Sequence, residues 1–141
     1  MSRRKGRILA FQGLYSWDVG GTKLDDVLTL SWSENEKTAE QVDEESGAFA
    51  RLLIAGTVEH KEEIDSLITS HLHGWAFDRV NKVSIAVLRM SVYSLLYQKD
   101  VPPTIVIDEA IDISKEYGQD DAFKFVNAVL DAIRKDLEKQ A

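Results

Sequence analysis

The sequence predicts an all-α protein in which residues 1–141 form one compact domain of about seven helices. Apolar residues recur with the 3.6-residue period of helices, and no segment shows a convincing strand alternation. The segment from Asp78 to Gln98 is apolar on every side, which is typical of a helix at the centre of a fold. A chain of 141 residues with 44% hydrophobic content can bury a core without disulfides or metals. We therefore expect two helical subdomains around a central apolar helix.

The first half of the chain predicts three helices before a break between Gly56 and His60. The first helix runs from about Arg4 to Asp18 and ends at Gly20-Gly21. A second short helix follows, and the polar, acidic stretch from Ser33 to Ser46 is partly a loop. A long apolar pattern from Ser46 to Leu72 then divides at the break into two helices.

The second half predicts the central helix and two more helices joined by a tight polar turn. Pro102-Pro103 suits a helix start, because the ring fixes φ and the missing N–H costs nothing there. Gly118 ends this helix, and Asp120 or Asp121 caps the next one. The apolar stripe of the last helix consists of Val126, Val129, Leu130, Ile133 and Leu137.

Charge is unevenly distributed along the chain. The net charge is −7, but Arg3, Arg4, Lys5 and Arg7 contribute +4, so residues 8–141 carry −11. An acidic bulk argues against a broadly basic nucleic-acid surface and favours one local contact site. The alternative is that these four residues, hereafter the basic segment, form only a solvated, frayed N-terminus.

The sequence offers no catalytic, metal-binding or cofactor-binding pattern. Cysteine is absent, and His60, His71 and His73 lack the spacing of a metal site. There is no phosphate-binding glycine loop and no nucleophile elbow. No apolar run approaches the roughly 20 residues needed to span a bilayer, and no signal peptide is present. We therefore expect a cytoplasmic, non-enzymatic protein without cofactor, metal or membrane contact.

Phe125 is the residue of the last helix that its own packing pattern explains least. At about 100° per residue it lies roughly a quarter-turn from the centre of the apolar stripe. Lys124 precedes it, and the small residues Ala128 and Ala132 flank it. Its ring either stacks on a partner or covers the edge of the core.

Single-stranded RNA recognition requires cations for phosphates and planar side chains that stack on exposed bases. The basic segment supplies the cations, and Gln12, Tyr15, Phe125 and Asn127 supply planar or hydrogen-bonding groups. Each has a structural alternative: Tyr15 lies on an apolar stripe, and Asn127 can bind a backbone carbonyl. Arg89, inside the apolar helix, is expected to pair with a carboxylate such as Asp108 or Glu109.

The C-terminal third of the sequence contains a characteristic series of short motifs: Ile107-Asp108-Glu109-Ala110, Ser114-Lys115-Glu116-Tyr117-Gly118, Lys124-Phe125-Val126-Asn127 and Val129-Leu130-Asp131. In their order and spacing these motifs resemble the NusB family of bacterial transcription antitermination factors, and the resemblance covers nearly the whole chain. Upstream, it includes Trp75, Arg79, Ala86-Val87-Leu88-Arg89 and Tyr93-Ser94-Leu95. In the first helix, basic residues are followed by Ala10, Gln12, Leu14 and Tyr15. Two positions depart from the family pattern: Ala128 stands where glycine is common, and Ser84 where we expect an acidic residue.

The resemblance implies a non-enzymatic factor that binds single-stranded boxA RNA together with NusE, a protein of the small ribosomal subunit. Such a factor acts on the transcription elongation complex and promotes read-through, chiefly in ribosomal RNA transcription. The sequence leaves both a monomer and a homodimer open. The first helix and the start of the last helix are then expected to lie together. The implied RNA-binding residues are Arg3, Arg4, Lys5, Arg7, Gln12, Tyr15, Lys124, Phe125 and Asn127.

Two alternatives to this function stay open at this point. One is a protein–protein scaffold whose basic segment is incidental. The other is an accessory domain for an enzyme that modifies ribosomal RNA, because a NusB-like domain precedes the catalytic domain of some cytosine methyltransferases. No cofactor-binding βαβ unit follows in this sequence, so the second alternative requires a separate catalytic partner.

Overall fold

A computed structural model describes residues 2–33 and 43–140. This part of the chain contains no strand, and the prediction of an all-α fold with about seven helices is confirmed. The α-helices are α1 (Ser2–Val19), α2 (Leu24–Leu28), α3 (Glu44–Glu59), α4 (Lys61–Thr69), α5 (Lys82–Tyr97), α6 (Pro103–Tyr117) and α7 (Ala122–Lys139). Short 3₁₀ turns lie at Ser31–Ser33 and Phe77–Arg79. Within the described residues, no helix has both the length and the apolarity needed to cross a bilayer.

Helix α5 is the centre of the molecule, as its sequence predicts. Every residue from Ser84 to Leu95 is buried, and α5 packs against α1, α3, α4, α6 and α7. Around it, α1 packs most extensively on α3, and α6 on α7. The prediction of two helical subdomains around a central helix is therefore confirmed, with α1–α3 before the break at His60 and α4–α7 after it.

The predicted start of the central helix is wrong by about one turn. The segment beginning at Asp78 first forms the 3₁₀ turn, and α5 itself begins at Lys82. The reason is a side-chain cap: Asn81 Oδ1 accepts hydrogen bonds from Val83 N at 2.9 Å and from Ser84 N at 3.4 Å. This capping satisfies N–H groups that have no partner inside the helix.

The predicted capping of α7 by an aspartate side chain is also wrong. Asp121 occupies the position before the helix, but its side chain makes no capping hydrogen bond. Its backbone is left-handed, with φ of 63°, and its carboxylate lies 3.5 Å from Lys124 Nζ. The turn from Gly118 to Asp121 is therefore formed by the backbone, and its carboxylates stay at the surface.

The acidic stretch from Ser33 to Ser46 is described only at its two ends, because residues 34–42 lie outside the described residues. The predicted loop in that interval stays a prediction. At its C-terminal end, Asp43 caps α3 by accepting a hydrogen bond from Ser46 N at 3.0 Å, so the helix begins earlier than predicted. This hydrogen bond and the nearby Lys5 hold the pKa of Asp43 below its usual value.

Arg89 forms a buried ion pair, but the predicted partners are wrong. Arg89 Nε and Nη2 donate to the two carboxylate oxygens of Asp65 at 2.8 and 2.9 Å, and Nη1 lies 3.1 Å from Asp18 Oδ2. Hydrogen bonds and attraction from both aspartates raise the pKa of Arg89 despite its burial, which acts in the opposite direction. The arginine therefore ties α1 and α4 to the central helix.

Candidate nucleic-acid interface

The basic segment forms the first two turns of α1, and most of its charge is already engaged by the protein. Arg4 contacts Glu109 Oε2 through Nε, and Arg4 Nη2 donates to Asp112 Oδ2 at 2.9 Å. Both carboxylates belong to α6. Hydrogen bonding to Glu109 is the largest of the effects that raise the pKa of Arg4. Arg4 therefore holds α1 against α6, and an RNA phosphate would have to compete with two carboxylates.

Arg7 is packed between helices, with only 4% of its surface exposed. Its guanidinium carbon lies 5.4 Å from the centre of the Phe49 ring in α3. Its Nη2 atom is buried and has no hydrogen-bond partner among the described residues. Burial lowers the pKa of Arg7, and Glu109 opposes this effect. The predicted role of Arg7 as a phosphate ligand stays a prediction, and the burial of its guanidinium counts against it, because little of the side chain is accessible to a ligand.

Arg3 lies on the same ring, which explains the glycine between the two arginines. The guanidinium carbon of Arg3 is 5.1 Å from the Phe49 centroid, a cation–π distance. A Cβ at Gly6 would lie 2.8 Å from Phe49 Cδ2 and 3.1 Å from Ser46 O, both too close for an unshifted structure. Gly6 thus lets Phe49 fit against α1, where it supports the exposed Arg3 side chain.

Lys5 completes the basic segment and is only loosely held. Its Nζ lies 3.6 Å from Asp43 Oδ1, and both side chains are about half exposed. Pairs of this kind contribute little to stability, since solvent screens the attraction. Arg3 and Lys5 are therefore the members of the basic segment that are most accessible to a phosphate.

The second half of α1 approaches the start of α7 through α6. Tyr117, the last residue of α6, packs on Phe11 of α1 with ring centroids 5.1 Å apart. Gln12 is half-buried next to Phe11, and Tyr15, one helical turn farther, is 38% exposed. Helix α7 begins at Ala122, five residues after Tyr117, so the Phe11–Tyr117 contact joins α1 to the end of α6 that leads into α7. Tyr15 is accordingly a surface residue rather than a core one.

The three predicted residues of α7 have different environments. Lys124 is exposed, and its pair with Asp121 is an exposed surface contact. Phe125 is half-buried against the core, and its other side contacts the exposed Trp75 with ring centroids 6.1 Å apart. Asn127 is exposed and makes no side-chain hydrogen bond within the described residues, so the alternative of a backbone contact finds no support.

A cleft next to Phe125 contains residues to which the sequence analysis gave no role. It encloses about 300 Å³ between the loop that precedes α5 and the turn that precedes α7. Its lining includes Trp75, Arg79, Asn81, Gln119, Asp120 and Asp121. In the sequence, Trp75 and Arg79 are distinguished only as part of the family pattern. The available signal was Trp75 itself, an aromatic residue directly after Gly74 in a segment without helical periodicity.

The arrangement is that of a binding surface. In the described part of the chain, no group of three or more histidine or acidic side chains can hold a metal ion. What the described residues do provide is exposed or half-exposed aromatic rings (Tyr15, Trp75 and Phe125) and the accessible cations Arg3, Lys5 and Lys124. These are the groups with which proteins bind single-stranded nucleic acids.

Comparison with known proteins gives a consistent result over nearly the full length. The pattern of the NusB family matches residues 4–135. The sequence is 54% identical over 134 residues to the transcription antitermination protein NusB of Treponema denticola, an alignment that covers 95% of this chain and 96% of the relative. It is 47% identical to the protein of the same name from Treponema pallidum strain Nichols, with coverage of 96% and 94%.

Solved structures agree with the sequence comparison. The fold is similar to that of T. maritima NusB, with a TM-score of 0.80, 35% identity, and coverage of 94% of this chain and 90% of that one. It is also similar to a chain in the crystal structure of the antitermination factors NusB and NusE in complex with dsRNA, with a TM-score of 0.82, 33% identity, and coverage of 96% and 97%. On this evidence the chain belongs to the NusB family.

Proposed function

We propose that this protein is a transcription antitermination factor that binds single-stranded boxA RNA together with NusE. The proposal is carried by one observation: relatives named as antitermination proteins match 95–96% of the chain. One similar structure is that of the antitermination factors NusB and NusE in complex with dsRNA, which supports RNA binding and the NusE partnership without itself containing single-stranded boxA. The protein then acts in the cytoplasm as a non-enzymatic component of the transcription elongation complex, chiefly during ribosomal RNA synthesis.

The described surface supports RNA binding, with a smaller set of contacts than the sequence predicts. We propose Arg3 and Lys5 as the main phosphate ligands, because they are exposed and weakly paired. Gln12, Tyr15, Lys124, Phe125 and Asn127 remain proposed RNA ligands on the surface that joins α1 to the start of α7. Arg4 contributes only if it leaves Glu109 and Asp112, and Arg7 acts through packing on Phe49.

The test is fluorescence anisotropy of a labelled boxA RNA and of a scrambled RNA of equal length, at about 150 mM salt, where the Debye length is roughly 8 Å. Each RNA is titrated with the protein alone and in the presence of NusE. We expect tighter binding of boxA than of the scrambled RNA, and a further gain with NusE. Equal, weak binding of both RNAs would contradict the proposal.

The same titration separates the scaffold alternative. A scaffold binds NusE with the same affinity whether or not boxA RNA is present. An antitermination factor of the proposed kind shows reciprocal coupling, since any factor by which NusE raises RNA affinity must equal the factor by which RNA raises NusE affinity. Sedimentation of the free protein over a range of concentrations would test the homodimer, which stays a prediction.

A further inference from the structure

Trp75 is an exposed aromatic residue outside the hydrophobic core. It follows two left-handed residues, His73 with φ of 25° and Gly74 with φ of 88°. Its backbone N–H donates to Leu72 O at 2.9 Å, so the turn fixes where the side chain leaves the backbone. The residue is 60% exposed, more than any other large hydrophobic residue in the described part of the chain. A large ring held in a fixed turn but left in water suggests a role in binding.

The geometry of Trp75 and Phe125 forms a corner. Their ring centroids are 6.1 Å apart and their planes meet at 62°, so the rings touch each other edge to face. Nothing fits between them, but a flat group can stack on one ring while its edge touches the other. The cleft they line encloses about 300 Å³, at the lower limit of small-ligand sites of roughly 300–1,000 Å³.

The polar groups of the cleft offer both donors and acceptors. Asn81 uses its Oδ1 to cap α5, so its NH₂ group is left to donate. Arg79 and Asp120 form no ion pair within the described residues, although both line the cleft. Two carboxylates, those of Asp120 and Asp121, would repel a phosphate. The same carboxylates suit the N–H groups on the edge of a nucleobase, as carboxylates do for the amino group of cytosine.

We propose that Trp75 and Phe125 form the corner of a pocket for one unstacked RNA base, and that the carboxylates at Asp120 and Asp121 favour a base with an exocyclic amino group over uracil. The base stacks on one ring, and Asn81 and Arg79 donate to its acceptors. This inference rests on the proposed RNA-binding function and adds a subsite to it. Trp75 is therefore a direct RNA ligand, next to Phe125 rather than behind it.

The first test compares Trp75→Ala, Trp75→Phe and a control, Tyr97→Ala, for binding of boxA RNA by anisotropy. Tyr97 is another exposed aromatic residue, at the opposite end of α5 from the cleft. Loss of a stacked base by alanine substitution costs about 1–3 kcal/mol, so Trp75→Ala should weaken binding about 5- to 150-fold. Trp75→Phe should keep most of the affinity, and Tyr97→Ala should keep all of it.

Salt dependence distinguishes stacking from a lost phosphate contact. Trp75→Ala should lower the affinity equally at every salt concentration, because counterion release depends on phosphate contacts alone. Intrinsic fluorescence gives a direct readout: RNA should quench the emission of the wild type more than that of Trp75→Phe. Circular dichroism and urea unfolding confirm that each variant is folded.

Scanning the RNA identifies the base. A single abasic site is placed at each position in turn, and at one position the loss should be at least as large as that of Trp75→Ala, and Trp75→Ala should cause no further loss with that RNA. Replacing the base at that position by uracil should weaken binding, and Asp120→Asn should reduce this preference. Additive losses at every position would overturn the inference.

Three further outcomes separate this inference from the proposed function. If the wild type binds boxA and Trp75→Ala binds it equally well, the pocket is wrong and the proposed function stands. If Trp75→Ala loses NusE but not RNA, the cleft is a protein contact and the inference is overturned. If the wild type binds no RNA at all, both proposals are wrong.

Discussion

The basic end of α1 and the cleft at the start of α7 differ in how much of their chemistry the protein itself uses. At the basic end, Arg4 binds two carboxylates of α6 and Arg7 is buried against Phe49. At the cleft, Trp75 is mostly exposed, and Phe125 contacts it from the edge of the core. Few of the four cations that are close together in the sequence are therefore accessible to a ligand. The rings of Trp75 and Phe125, by contrast, have faces that a ligand can reach.

This difference teaches that charge in a sequence is not the charge available to a ligand. Four cations that each contacted a phosphate would give a log–log salt slope of about −3 on single-stranded RNA. The two accessible cations of the basic segment, Arg3 and Lys5, contribute only about −1.4. Stacking contributes affinity without steepening the slope, so the cleft and the basic end leave different signatures in the same titration.

The largest expected effect is on stability and comes from replacing Arg89, whose three guanidinium nitrogens all contact carboxylates. Arg89→Met should lower the free energy of unfolding by about 3–5 kcal/mol, because Asp18 loses its partner among the described residues and Asp65 keeps only the contact with Lys61 Nζ at 3.3 Å. Solvent access to both aspartates places the expected loss at the lower end of that range. Urea denaturation measures the effect.

Arg7→Met is the matched control for that substitution, and it sharpens the comparison. Arg7 is as buried as Arg89, but its Nη2 lacks a hydrogen-bond partner among the described residues. Methionine keeps the packing on Phe49, so the expected loss is only the cation–π contact, about 0.5–1 kcal/mol. Equal losses for the two variants would mean that Arg7 is as firmly paired as Arg89.

Gly6→Val should have the next largest effect, because it separates α1 from α3. The new side chain would displace the Phe49 ring and approach Ser46 O, and overpacking of this kind costs about 1–3 kcal/mol. Ala48→Val, at an exposed position of α3, provides a control with the same side chain and no such contact. Thermal unfolding measures the stability of both variants. If Gly6→Val is as stable as Ala48→Val, the Phe49 ring moves aside without a cost in free energy.

A smaller effect is expected from Arg3→Gln, which removes an accessible cation. The log–log salt slope of boxA binding should become less steep by about 0.7, while the unfolding free energy stays close to that of the wild type. Arg7→Met should leave the slope unchanged. If Arg7→Met flattens the salt slope as much as Arg3→Gln does, the distinction between accessible and engaged cations is wrong, because the buried arginine would then be contacting RNA.

The smallest expected effect concerns Asp43 at the basic end. The pKa of Asp43 is depressed by the hydrogen bond from Ser46 N, so its contribution to stability is present above the unfolded pKa of about 3.9 and is lost as pH falls through the lower folded pKa. Asp43→Asn keeps a capping oxygen that does not titrate. The stability difference between wild type and variant should be constant at neutral pH and shift in favour of the variant below about pH 4. Urea unfolding measures the stability difference between wild type and Asp43→Asn. A difference that does not change from pH 7 to pH 2.5 would contradict this account of the cap.

Local patterns in the sequence predict much of this fold. The all-round apolar character of α5 predicts its central position, and Val126, Val129, Leu130 and Ile133 of the predicted α7 stripe are buried. The partners of Arg89 could not be predicted in the same way, because Asp18 and Asp65 belong to helices that only the tertiary fold brings together. The backbone of Asp121 is another case: aspartate favours a cap, but the short turn after Gly118 imposes a left-handed conformation.

The candidate site was less predictable than the fold for the same reason. Phe125 could be identified because it departs from the apolar stripe of its own helix. Trp75 lies in a loop without periodicity, and its importance depends on the cleft that α7 completes. The burial of Arg7 likewise depends on Phe49, a residue of another helix.

The ion pair of Arg89 also bears on how the chain folds as it leaves the ribosome. Helix α1 is synthesised first, but α5, which buries one of its faces and supplies the partner of Asp18, is complete only at Tyr97. The N-terminal helices therefore cannot complete their core until a segment from the middle of the chain has been synthesised. This agrees with the general tendency of domains to fold as units during synthesis. We expect a fragment that ends in the loop before α5 to remain unfolded, because α1 would lack both the helix that buries one of its faces and the arginine that pairs with Asp18.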